Sequence, residues 1–190
     1  MWVVVGLGNP GREYADTRHN LGFQVVDEVC RRAGIRPVRG PGDYFEATWR
    51  APAGPALLLK PTTYVNRSGR ALRQLAGQQE LDLDTLLVVL DDVYLPFGRL
   101  RLRPRGGAGG HNGMRSLLDA LGSEEFPRLR LGVGLPEDDT PLPDWVLSTF
   151  SEEERAALPD FVGRATDAVE RVLELGVDAA VPIVNAPPAP

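Results

Sequence analysis

Along the first 135 residues, short apolar runs of strand character alternate with segments of helical spacing, and each run stops at a polar stretch. Trp2-Val3-Val4-Val5 reads as a buried strand. Phe23, Val26, Cys30 and Ala33 then recur at helical spacing until Gly34 ends the helix, which makes Cys30 an expected core residue. Ala56-Leu57-Leu58-Leu59 and Leu86-Leu87-Val88-Val89-Leu90 are further strands, with a helix between them from about Ser68 to Gly77. Chains that alternate in this way bury a largely parallel or mixed sheet under helices, so the expected class is α/β. A 190-residue chain with 43% hydrophobic and 25% charged content has the composition of one soluble globular domain, which excludes disordered and fibrous classes.

Two later stretches carry period-two patterns of a different kind. In Arg99-Leu100-Arg101-Leu102-Arg103, and again in Arg128-Leu129-Arg130-Leu131, a strand would set guanidiniums on one face and leucines on the other. Residues 136–150 form a loop rich in Pro and Asp, followed by an acidic amphipathic helix over 151–175. Residues 185–190, mostly Ala and Pro, are expected to fray. The domain is therefore taken as 1–184.

The net charge of −5 argues on its face against a nucleic-acid partner, but the charge is uneven. Residues 137–190 hold 12 acids and 3 arginines, which leaves 1–136 with 18 basic and 14 acidic residues. A local basic surface thus coexists with an acidic whole. The lone cysteine excludes an internal disulfide, no apolar run approaches membrane-spanning length, and the N-terminal residues lack the pattern of a signal peptide. The cytoplasm is the expected location.

The chain has only five asparagines and two histidines, and most of them gather in three glycine-bearing segments. These are Gly6-Leu7-Gly8-Asn9-Pro10-Gly11 running on to Arg18-His19-Asn20, Lys60 to Gly69 with Tyr64 and Asn66, and Gly106 to Gly113 with His111-Asn112. All three follow strand-like runs, as does Asp91-Asp92, so they are expected at the carboxyl ends of the strands, where α/β proteins bind ligands. Amides, an imidazole and a carboxylate in one crevice suit a polar substrate and a proton transfer. A neutral imidazole can take a proton from water while a carboxylate on its other nitrogen fixes the tautomer. His19 and His111 are rival bases, and Asp91 and Asp92 rival carboxylates.

Other chemistries fit less well. Gly6-x-Gly8-x-x-Gly11 after a strand matches a dinucleotide fingerprint, but Pro10 removes a backbone N–H, the helix starts only near Leu21, and Asp27 falls inside that helix. Two histidines and one cysteine give too few ligands at metal-binding spacing, and no cofactor is expected. Ser68 and Ser116 lie outside any nucleophile elbow, and helix capping is the better account of Ser68.

Taken together, these segments resemble bacterial peptidyl-tRNA hydrolases, in the right order over about residues 2–175. The matching motifs include Val5 to Gly11 with Tyr14, Thr17 to Asn20, Lys60 to Gly69, Asp91-Asp92 with Leu95-Pro96, and Gly106 to Gly113. The resemblance implies a single-domain three-layer α/β/α sandwich with a mixed, mostly parallel twisted central sheet, active as a monomer without a metal. It implies cleavage of the ester joining a peptide to the 3′-terminal ribose of tRNA. It further implies that His19 is the general base, that Asp91 supports it, and that Asn9 acts beside the scissile ester. By the same resemblance Tyr14, Tyr64, Asn66 and Asn112 bind substrate, Arg103 and Arg130 hold the tRNA phosphate with Arg101 and Arg105 nearby, and 136–150 is a lid. The partner is peptidyl-tRNA, through its acceptor stem and 3′ end, with no membrane. Val65 and Tyr94 depart from the family pattern, where methionine and an acidic residue are usual. Two other classes keep the same residues: a silent RNA-binding relative, and a small-molecule hydrolase that does not use tRNA.

Overall fold

The computed structural model describes residues 1–187. Its centre is β1 (Trp2–Gly6), whose valines are buried on both sides of one sheet: Val4 faces one core, Val3 and Val5 the other. The same division runs through β4 (Gly54–Pro61) and β5 (Leu86–Asp92), where Leu58, Leu87 and Val89 join Val4, and Leu57, Leu59, Val88 and Leu90 join Val3 and Val5. A strand with two buried faces reads as a continuous apolar run, which is why these segments are legible in the sequence.

The sheet is completed by β2 (Val38–Arg39), β3 (Tyr44–Ala51), β6 (Leu100–Arg103) and β7 (Arg128–Gly132), in the spatial order β2-β3-β4-β1-β5-β7-β6. The central strands β4, β1, β5 and β7 are parallel, whereas β3 and β6 run against their neighbours. The sheet is thus mixed, with most strands pointing one way.

Helices α1 (Leu21–Ala33), α5 (Glu152–Leu175) and α6 (Val177–Val184) cover one face, around Val25, Val29, Phe161 and Val169. Helices α2 (Gly69–Ala76) and α3 (Asn112–Leu121) cover the other, with Leu72, Leu75, Met114 and Leu117. Three layers result, as the α/β/α expectation requires. A fully buried leucine such as Leu87 contributes about 1.5–3 kcal/mol through burial, and its truncation to alanine costs about 2–5 kcal/mol with the cavity included. The short helix α4 (Leu142–Val146) breaks the expected 136–150 loop, and a capping box of Ser151 with Glu154 starts α5.

One close approach positions the site. A Cβ on Gly22 would lie 2.4 Å from the Val89 carbonyl oxygen, and one on Gly6 would lie 2.2 Å from that of Gly22. Only glycines let the start of α1 rest directly on β1 and β5. The 3₁₀ turn just before it, Arg18–Asn20, is thereby set over the carboxyl end of β5.

Two sequence expectations are corrected. Asn185 does not fray: its side chain accepts from the Leu102 N–H at 2.7 Å and donates to the Leu102 carbonyl at 3.0 Å, pairing with edge strand β6 as a strand residue would. The last residues of that expected tail, 188–190, lie outside the described residues. Ser68 does not cap α2, because its hydroxyl is buried and donates to the Val65 carbonyl at 2.8 Å. Ser116 of α3 accepts from the Gly69 N–H at 3.0 Å instead.

Candidate active site

The buried carboxylate of Asp91, the penultimate residue of β5, lies between the two histidines. Its Oδ1 lies 2.9 Å from His19 Nδ1 and 3.0 Å from His111 Nε2, and its Oδ2 lies 3.0 Å from His19 Nδ1. Burial alone would raise the Asp91 pKa, but the charges and hydrogen bonds of His19 and His111 outweigh it and hold the group well below the ordinary carboxylate range. An ionised carboxylate only accepts, so His19 Nδ1 carries a proton. The lone pair of the neutral ring is then on Nε2, for which no partner exists among the described residues. Burial disfavours the charged imidazole, yet the charge and hydrogen bond of Asp91 prevail, and the His19 pKa is raised above 6.5.

His111 is committed at both nitrogens. It is the N-cap of α3, and its Nδ1 accepts from the Met114 N–H at 3.2 Å. Its Nε2 must therefore carry the proton and donate to Asp91. The two candidate pairs of the sequence differ in geometry: His19 keeps a nitrogen with no partner among the described residues and His111 does not, while Asp92 forms an ion pair with Arg130 and no hydrogen bond to either imidazole.

Asn9 is aimed by its neighbours. Its backbone N–H donates to Asn20 Oδ1 at 2.8 Å, and Asn20 Nδ2 donates back to the Asn9 carbonyl at 2.9 Å. Its own Oδ1 accepts from the Val65 N–H at 2.8 Å, so its Nδ2 is turned outward with no acceptor among the described residues. Asn20 is legible in the sequence as a member of the cluster, but its role in tying Asn9 to the turn that carries His19 is not. Tyr14 and Tyr64 meet edge to face at 6.3 Å, and Asn66 and Asn112 are exposed nearby in sequence to Val65 and His111.

A cavity of about 490 Å³ opens beside the histidines, bounded by His19, Asp91, His111 and Asn112 at one end and by Arg103 and Arg130 at the other. Asn9, Asn66, Tyr14 and Tyr64 are outside its lining. From the register, in which Asp91 faces Leu131 and Arg103 faces Arg128, the dyad and Arg103 are separated by about 10 Å along the strands. The third glycine-bearing segment reaches the site by an unexpected route. It leaves antiparallel β6 at the amino end of β7 and returns along the sheet face to His111.

The arginines divide by depth. Leu100 and Leu102 are buried in the α5 and α6 core, which turns Arg101 and Arg103 to the opposite face, beside Arg130 and Arg128 in register. Arg128 is buried and donates to the carbonyls of Phe126 at 3.0 Å, Gly107 at 3.3 Å, Glu124 at 3.3 Å and Gly106. Burial pushes its pKa down to about 10. It is a scaffold for the glycine segment and not part of the basic surface that the run 128–130 suggested. Arg105 pairs with Glu125 at 3.1 Å, and Arg103 stands exposed without an ion-pair partner among the described residues.

Sequence reasoning gave no role to Arg18, which is 3% exposed. It forms a bidentate pair with Glu154 at 2.8 and 3.0 Å, lies 3.8 Å over the Trp145 ring, and its backbone N–H donates to the Ser148 carbonyl at 3.1 Å. This clamp fastens α4, a wall of the cavity, to the turn that holds His19. A charged residue next to an expected catalytic histidine was the only signal.

His19, Asp91 and His111 bring three potential ligand atoms within 4.8 Å of one another. In the scheme above both imidazole protons point at Asp91, so a cation would have to displace both hydrogen bonds to enter. Among the described residues, no helix is long and apolar enough to cross a membrane.

The fold and this constellation define a three-layer α/β/α protein with a buried histidine–carboxylate cluster at the carboxyl edge of its sheet. The particular group follows from comparison: the model of the peptidyl-tRNA hydrolase family matches residues 3–189, and the chain belongs to that family. It is 47% identical over 184 residues to the peptidyl-tRNA hydrolase of Chloroflexus aurantiacus, covering 95% of this chain and 97% of that one. To that of Roseiflexus castenholzii it is 48% identical over 189 residues, covering 99% and 88%. The crystal structure of peptidyl-tRNA hydrolase from Acinetobacter baumannii is similar with a TM-score of 0.89 and 32% identity, covering 98% of this chain and 95% of that one.

Proposed function

We propose that this chain hydrolyses the ester between a peptide, or an N-blocked amino acid, and the 3′-terminal ribose of tRNA. One observation carries the assignment of roles: Asp91 binds Nδ1 of His19, whose Nε2 is the only histidine nitrogen left without a partner among the described residues.

His19 Nε2 takes a proton from water as the oxygen attacks the ester carbonyl, and Asp91 stabilises the imidazolium that forms. The carbonyl π pair moves to oxygen, and the outward Nδ2 of Asn9 donates to that oxyanion. A positioned donor of this kind is worth about 3–4 kcal/mol in the transition state. When the carbonyl re-forms, the ribose 3′ oxygen leaves with the proton from His19. The products are free tRNA and the peptide acid.

Asn66 and Asn112 bind the acyl group and the 3′ end, Tyr14 and Tyr64 line the approach, and Arg103 and Arg130 hold a phosphate of the acceptor stem. Residues 136–150, with α4, act as the lid, and the working unit is a monomer without cofactor in the cytoplasm. Incubation with N-acetyl-aminoacyl-tRNA and with the unblocked form tests the reading. Only the blocked substrate should be cleaved, and His19→Ala should abolish the reaction. Failure to cleave the blocked substrate, or full activity of His19→Ala, overturns it.

A further inference from the structure

The side chain of Tyr94 is 60% exposed, and the residue lies in the turn that follows β5, on the wall of the cavity shared by His19 and the arginines. Large aromatic side chains are usually buried or paired, as Tyr14 and Tyr64 are with each other. No other aromatic ring meets Tyr94 among the described residues.

The turn that carries it is held firmly. The Tyr94 N–H donates to Asp92 Oδ1 at 2.8 Å, and the other oxygen of Asp92 pairs with Arg130. One carboxylate therefore fixes both the turn bearing the ring and an arginine expected at phosphate. Between the ester at His19 and a phosphate at Arg103 or Arg130, a single-stranded tRNA end must pass along this wall. Such strands are bound by a combination of cationic groups on the backbone and aromatic faces under the bases.

Resting on the function proposed above, we propose that Tyr94 is a stacking platform for an unpaired nucleobase of the tRNA 3′ end upstream of the terminal nucleoside, and so a specificity-determining residue of the reaction. The ring supplies a π face, and its hydroxyl contributes nothing essential. Because stacking tolerates any base, the contact recognises single-stranded nucleic acid without reading sequence. It separates tRNA esters from small esters that the dyad alone would cleave.

The test compares kcat/KM for N-acetyl-aminoacyl-tRNA with that for the same N-acetyl-aminoacyl group on the 3′ oxygen of adenosine 5′-phosphate alone, in the wild type, Tyr94→Ala and Tyr94→Phe. For the tRNA substrate, Tyr94→Ala should lower kcat/KM by about 5- to 150-fold, the equivalent of about 1–3 kcal/mol, and Tyr94→Phe should stay within about twofold of wild type. The ratio of tRNA to mononucleotide activity should fall in Tyr94→Ala alone. Equal loss on both substrates, no loss on tRNA, or a Tyr94→Phe defect as large as that of Tyr94→Ala overturns the proposal. A defect that grows with the size of the acyl side chain, measured with N-acetyl-glycyl and N-acetyl-phenylalanyl esters, would assign the ring to the peptide and overturn it too. A wild-type protein without activity on either substrate would instead refute the hydrolase reading.

Discussion

Replacing Asp91 with asparagine tests the proton arrangement most sharply, because the site holds two N–H donors and an asparagine side chain has one carbonyl oxygen. His111 Nδ1 is occupied by the Met114 N–H, so its Nε2–H requires an acceptor, and the oxygen 3.0 Å away must be the carbonyl of the introduced amide. The amide nitrogen then falls at the Oδ2 position, 3.0 Å from His19 Nδ1, so an N–H donor faces that nitrogen while the carbonyl oxygen, 2.9 Å from it, is already shared with His111. His19 is driven to the tautomer with its proton on Nε2, and the basic nitrogen no longer faces water. A wrong tautomer of this kind costs about 10⁴ in kcat, or about 5 kcal/mol of transition-state stabilisation. The remaining activity has its own signature. In the wild type, the proposed base role of His19 predicts that activity should fall as pH drops through its raised pKa, because the protonated ring cannot act as a base. Asp91→Asn removes the group that raises this pKa and leaves burial, which lowers it, so the acidic limb of the profile should move to lower pH. Steady-state hydrolysis of N-acetyl-aminoacyl-tRNA from about pH 5 to about pH 9 measures both effects. A variant within about tenfold of wild-type kcat, or a limb displaced to higher pH, would refute the proton assignment.

His111→Asn, which keeps an N-cap acceptor for the Met114 N–H but is too short to reach Asp91, should lower kcat by about 10- to 100-fold through the lost hydrogen bond to a charged group, and keep the position of the acidic limb, which a profile on the same substrate will show. Arg18→Met should destabilise the fold by about 2–4 kcal/mol, since it strands Glu154 and removes the guanidinium over Trp145, and urea denaturation should show a lower midpoint. Glu154 adds a pH signature: although burial would raise its pKa, the hydrogen bond from Arg18 holds it low, so the wild-type advantage exists above the ordinary carboxylate range and is lost as pH falls through the lowered value. Arg103→Glu with Arg130→Glu should weaken tRNA binding and flatten its dependence on log salt by about 2, without changing hydrolysis of the mononucleotide ester; an unaltered slope counts against the phosphate contact.

What can be read in advance follows the physics of each element. The two-faced strands β1 and β5 and the amphipathic α1 announce themselves because burial dictates their patterns. Strand β3 does not, because two of its inward positions are Ala47 and Ala51, too small to mark a period. Helix α6 contains Pro182, which argues against a helix in isolation. In the site, the gathering of rare asparagines and histidines is visible as sequence. The choice between His19 and His111 is not, since it depends on which ring nitrogen a backbone N–H reaches. Arg128 and Arg130 share a strand face, and only depth in the sheet separates the buried scaffold from the surface cation. Asp92 likewise needs the position of Arg130 before it can be told from Asp91.

The pairing of Asn185 with Leu102 bears on how the molecule behaves in crowded solution. Strand β6 is the last strand of the sheet, and its outward amide and carbonyl would offer any extended peptide a template for annealing. One asparagine side chain supplies both complementary groups and so removes Leu102 from that competition. While Asn185 holds it, Leu102, between Arg101 and Arg103, has no free backbone group to offer an added strand. At this residue the sheet margin is capped by the segment following α6, at the expense of one side chain.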